Sequence, residues 1–118
     1  STAYLTVANT VNDLSLTGSS GTITNVVTFG NTGSLTLGTA SGTQTYSGGV
    51  VATAPSAITT AGTLVFGANT TLGDAGTALT LSDATTISAL TGVVVSVDGS
   101  ISSAGKSLTV GGAGDTCG

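Results

Sequence analysis

A serine, threonine or cysteine becomes a nucleophile only with a base in hydrogen-bond reach. The chain carries 15 Ser and 25 Thr, but no His and one cationic side chain, Lys106. Ser107 follows Lys106, so a Ser–Lys pair is formally available. Adjacent strand residues point to opposite faces, which separates the two. Paired carboxylates would have to come from Asp13, Asp74, Asp83, Asp98 and Asp115, all in turn-like contexts where solvated corners are the ordinary reading. One Cys and no His leave zinc without a ligand set. Gly111-Gly112-Ala113-Gly114-Asp115 approaches a calcium-binding nonapeptide, but its Asp comes one residue early and no second copy follows. Calcium wants about six or more oxygens. The residue inventory therefore predicts no enzyme, no catalytic or metal-binding residue and no cofactor.

Other residues admit sharper readings beside plain ones. Cys117 is the single cysteine and allows no internal disulfide; a free thiol and an intermolecular bridge both remain open. Asn69-Thr70-Thr71 is a glycosylation sequon, a pattern short enough to arise by chance. Thr22-Ile23-Thr24 and Thr43-Gln44-Thr45 lie 21 residues apart and would, if stacked, begin a flat Thr array of the sort found in ice-binding solenoids. Thr63-Leu64-Val65 then breaks it, which favours ordinary strand surface.

Charge narrows the partners. The net charge is −4 and charged residues are 5% of the chain. Nucleic acid needs Lys/Arg clusters, and there are none. The same lack removes an electrostatic route to an anionic membrane, and no apolar run approaches the length of a membrane helix. No leader-like segment is visible at Ser1.

Helix surfaces are normally built from Glu, Lys, Gln and Arg, which are nearly absent. Thr, Val, Ile, Leu and Gly remain, the material of strands and turns. Disordered chains combine low hydrophobicity with high net charge. Here 39% of residues are apolar and they fall in short alternating runs, so the chain is expected to fold.

Two series keep nearly one period. Gly21-Thr22, Gly42-Thr43, Gly62-Thr63, Ala84-Thr85 and Gly105-Lys106 are spaced 21, 20, 22 and 21. Leu14, Leu35, Ile58, Leu79 and Ile101 are spaced 21, 23, 21 and 22. Periods of this length mark solenoids. Within one period Thr63–Phe66, Asn69–Leu72 and Ala78–Leu81 read as three short strands with Gly67, Gly73 and Gly76 between them. Three strands and three corners make one coil of a parallel β-helix. Residues 1–118 are thus expected to form one all-β domain of about five to six coils, about 21 residues each, on the order of 25 to 30 Å long. Residues 46–57 lack clean alternation and read as an irregular corner or outward loop. Asp98-Gly99 reads as a turn in either architecture. The alternative is an antiparallel β-sandwich, with strand donation between subunits as one variant; it leaves the period unexplained.

Gly42-Thr43-Gln44-Thr45-Tyr46-Ser47-Gly48, Phe66-Gly67-Ala68-Asn69-Thr70-Thr71-Leu72, Gly105-Lys106-Ser107-Leu108-Thr109-Val110 and Ala113-Gly114-Asp115-Thr116 resemble repeats of giant filamentous-haemagglutinin-like bacterial surface proteins. The resemblance covers roughly residues 40–117, with a weaker echo in 1–39. It implies a secreted β-helical adhesin or filament segment displayed at the cell surface, without catalytic residues.

The expected function is a structural subunit or segment of a self-assembling extracellular filament, whose partner is another copy of the chain. Its self-association residues would be Tyr4, Leu5, Thr6 and Val7 at one end and Leu108, Thr109, Val110 and Cys117 at the other, since exposed strand edges invite pairing. The alternative is an adhesin module that binds a receptor or glycan on a host or neighbouring cell, with Tyr4 and Tyr46 as its available aromatics.

Overall fold

Each run of alternating apolar residues is three or four residues long, too short to fold alone. The chain satisfies these runs by stacking them. The computed structural model describes residues 5–7, 12–90, 92–111 and 116–117, with the backbone alone at Thr6, Thr116 and Cys117. Its strands are β1 (Thr6–Val7), β2 (Leu14–Leu16), β3 (Ser20–Ile23), β4 (Val27–Phe29), β5 (Ser34–Leu37), β6 (Thr43–Tyr46), β7 (Val50–Ala52), β8 (Ala57–Phe66), β9 (Thr70–Leu72), β10 (Ala78–Ala89), β11 (Val94–Ser96), β12 (Ile101–Ser102), β13 (Leu108–Gly111) and β14 (Thr116–Cys117). No helix occurs among the described residues.

Every strand pair is parallel, and partners lie between 20 (Thr43 and Thr63) and 25 (Thr70 and Val95) residues apart. This is a β-solenoid; the antiparallel sandwich is excluded because no antiparallel pair is present among the described strands. Three faces follow in order around each coil. The first stacks β2, β5, the front half of β8, the front half of β10, and β12. The second stacks β3, β6, the back halves of β8 and β10, and β13. The third stacks β1, β4, β7, β9, β11 and β14. Five steps of about 4.8 Å give a stack of about 24 Å, against overall extents of 37 × 34 × 25 Å. The stack is no longer than it is wide, so a single chain is a squat block and not a rod.

The Leu14, Leu35, Ile58, Leu79, Ile101 series is the register of the first face, residue for residue. The Gly–Thr series holds at Gly42-Thr43 over Gly62-Thr63 and slips elsewhere, by two residues at Gly21-Thr22, which pairs Gln44-Thr45, by one at Thr85, which pairs Gly62, and by two again beyond it, where Thr85 pairs Leu108. Corners absorb the unequal lengths. Gly62 turns one of them at φ +74°, and a Cβ there would lie 2.2 Å from the Thr39 carbonyl oxygen. Only glycine meets both conditions.

Residues 46–57 are more regular than expected. They contain β7, in which Val50 and Ala52 are buried and Val51 faces out. An outward Val hides the alternation from a reader of the sequence. Pro55 sits buried just before β8, and its carbonyl oxygen accepts the Thr77 hydroxyl at 2.9 Å.

The interior is a stack of like residues: Leu35, Ile58 and Leu79 from the first face, Leu64 and Ile87 from the second, Val27, Val50 and Val95 from the third. Tyr46 and Phe66 stack with ring centroids 5.6 Å apart. Most polar groups that enter are bonded; Asn31 donates its amide N–H groups to the carbonyl oxygens of Asn12 (3.2 Å) and Ser34 (2.9 Å), while its Oδ1 has no partner among the described residues. The Thr85 hydroxyl donates to the Asp83 carbonyl oxygen (3.1 Å), so its single proton is spent and the Thr60 hydroxyl, 3.2 Å away, donates to it. Asp83 itself lies within β10, beside the register shift between Leu81 and Thr85, where a simple solvated turn was expected.

Candidate functional site

Two kinds of surface arise from this register: the ends of the stack and its outward columns. Inside a parallel ladder each strand has two neighbours. Among the described residues β2 pairs only β5 and β3 pairs only β6, while β12 and β13 pair only β10. Backbone N–H and C=O groups are therefore presented at both ends, on the first and second faces alike.

The end carrying β2 and β3 opens into a groove of about 370 Å³, lined by Leu16, Gly18, Gly21, Ile23, Gln44 and Tyr46 among others. Its origin is one residue. Gly21 pairs Gln44 and tops the inward row of Gln44, Leu64, Ile87 and Val110. Having no side chain, it leaves the row unfinished, and a Cβ built on Gly21 would meet nothing within 4 Å. The groove floor is polar but internally satisfied. Gln44 Nε2 donates to the carbonyl oxygens of Leu16 (2.8 Å) and Gly18 (3.0 Å), and its Oε1 accepts the Tyr46 hydroxyl at 2.5 Å. Burial, which penalises the phenolate, raises the Tyr46 pKa well above its ordinary 10.0.

At the opposite end two apolar side chains stand exposed. Ile101 continues the first-face row but is 47% exposed, and Val110 continues the second-face row at 43%. The expected self-association residues divide between the ends. Leu5 and the strand Thr6–Val7 lie on the third face against β4; Leu108, Thr109 and Val110 lie on the second face, in β13. The Cys117 backbone pairs Val95 in the last third-face strand. Tyr4 lies outside the described residues. In a coaxial stack of copies, β13 would meet β3 and β12 would meet β2, so Leu14–Leu16 and Ser20–Ile23 join the candidates. Sequence reasoning passed over both because neither lies near a terminus.

Lys106 and Ser107 are exposed in the corner ahead of β13, and no hydrogen bond joins them. No group of three or more His, Cys, Asp or Glu residues able to hold a metal ion occurs among the described residues, and no helix there is long and apolar enough to cross a membrane. Tyr46 is 1% exposed and is withdrawn as a receptor-facing aromatic. Of the sequon, Asn69 is exposed while the Thr70 hydroxyl is buried, donating to the Ala68 carbonyl oxygen and accepting the Val50 N–H.

Comparison with known proteins adds no relative: no family model, curated protein or solved structure matches the chain.

Proposed function

We propose that this solenoid is a non-catalytic, self-associating module of an extracellular fibre, growing by the addition of further copies to its open ends. One observation carries the reading: the two ends are continuations of the same rows. Ile101 belongs to the row that Leu14 begins, and Val110 to the row that Gly21 leaves empty. Set end to end in that register, the exposed Val110 of one copy would fill the space above Gly21 of the next, and the strand edges would pair by the mode of β-strand addition. Such a head-to-tail contact does not close on itself, so it makes filaments. The low charge supports the same reading, because like charges in stacked rows would repel.

Gly21→Lys tests it. The new side chain has room in the folded monomer but places a cation in the groove that the next copy must enter. Light scattering across a concentration series should show the unmodified protein growing, with filaments by electron microscopy, and the variant staying monomeric. A wild-type chain that remains monomeric at high concentration refutes the proposal. Binding of dispersed monomers to cells would instead favour an adhesin module.

A further inference from the structure

The register also organises the outside of the stack, independently of its ends. On the second face one outward column runs Ser20, Thr43, Thr63, Thr86, Thr109. A second, two residues along each strand, runs Thr22, Thr45, Val65, Ser88, Gly111. The array expected from the sequence had Thr22-Ile23-Thr24 over Thr43-Gln44-Thr45; the true partner of Thr43-Gln44-Thr45 is Ser20-Gly21-Thr22. With that shift the first column holds a hydroxyl at every level.

The columns repeat about every 4.8 Å along the axis and stand about 6.6 Å apart across it. The first interval falls close to one oxygen repeat of an ice prism face, and the second is somewhat shorter than the other. Threonine is restricted at χ1 by its branched Cβ, so the array is stiffer than one of serine or lysine. None of these hydroxyls hydrogen-bonds to another described residue; each is free to hold water or a surface. We propose that the second face binds the surface of ice, with Thr43, Thr45, Thr63 and Thr86 at the centre of contact.

Charge complementarity selects this occupant. The two columns carry no charged side chain and no aromatic; Tyr46 and Phe66 of the same strands point inward and are buried. An anionic polymer finds no cation there, and a sugar ring finds nothing to stack on. Ser20, Thr22 and Thr45 help line the groove at the β3 end, but Thr43, Thr63 and Thr86 stand outside it, where no cleft encloses a small soluble ligand. A neutral solid with its own repeat engages every rung at once, and many weak contacts add as in any multivalent attachment.

The test compares Thr63→Lys, at the centre of the array, with Thr71→Lys, an outward position on the third face. Ice-affinity partitioning and ice-crystal shaping are measured on both variants and the unmodified protein, with circular dichroism confirming that each is folded. The unmodified protein and Thr71→Lys should enter growing ice and facet it, and Thr63→Lys should lose both behaviours. Should Thr63→Lys fail to fold, Thr45→Lys replaces it. Exclusion of the unmodified protein from ice, equal behaviour of the two variants, or retention on an insoluble neutral glucan without any effect on ice overturns the proposal.

Discussion

The middle coils and the end coils are made of the same residues, yet they differ in what those residues do. In the first-face row Leu35, Ile58 and Leu79 are at most 1% exposed, Leu14 is half-buried and Ile101 is 47% exposed. Nothing local distinguishes Ile58 from Ile101. Burial in a solenoid is supplied by the neighbouring coils, so stability is a sum of interfaces between layers. The end layers have one interface each, which makes them weaker and, on the proposed reading, the place where further copies add.

The largest contrast should appear within that row. Leu79→Ala should cost about 2–5 kcal/mol, the range for a buried leucine, while Ile101→Ala should cost under about 1 kcal/mol because little apolar surface is lost. Denaturant midpoints of both variants measure it, and equal costs would break the comparison. Glycine corners give the next contrast. Gly62 and Gly105 both have positive φ, but a Cβ at Gly62 collides with the Thr39 carbonyl while one at Gly105 meets nothing. Gly105→Ala should lose about 1 kcal/mol from backbone strain and Gly62→Ala clearly more, up to about 3 kcal/mol.

A smaller effect sits at the boundary between middle and end, at Tyr46. Its folded pKa is raised above the unfolded 10.0. The protonated phenol is favoured in the fold, so its contribution is fully present below pH 10. Above pH 10 the unfolded chain releases a proton that the folded one keeps, and stability should fall by up to about 1.4 kcal/mol per pH unit. Denaturation between pH 9 and 11 should show this slope, and Tyr46→Phe should remove it. The variant itself should lose about 1–3 kcal/mol at neutral pH, because Gln44 Oε1 is left without its donor.

Much of the architecture was legible because the first face obeys a plain rule, leucine or isoleucine inward at every level. The row from Leu14 to Ile101 needed no structure to be aligned. The second face obeys a rule that one sequence hides. Its inward row runs Gly21, Gln44, Leu64, Ile87, Val110, and Gln44 belongs there only because its amide is spent on the Leu16 and Gly18 carbonyls and the Tyr46 hydroxyl. A polar residue in a core row hides the true register, here by two residues, and the Thr columns shift with it. Tyr46 read as a surface aromatic for the same reason. Residues 46–57 misled through Val51, an apolar residue on an outer face. For the open ends the sequence pointed to the stretches nearest the termini and passed over β2 and β3, since exposure there depends on which strands lack a second neighbour.

Every strand pairing here joins residues at least 20 apart in a chain of 118. That separation is close to one-sixth of the chain length, in the slower part of the range for small domains. The first coil gains nothing until the second returns to meet it, so a nucleus must hold two unrewarded turns of backbone before any ladder forms. Once it exists, each further coil closes only one more loop. Nucleation is therefore slow and elongation fast, and a preformed layer is the template that shortens the wait.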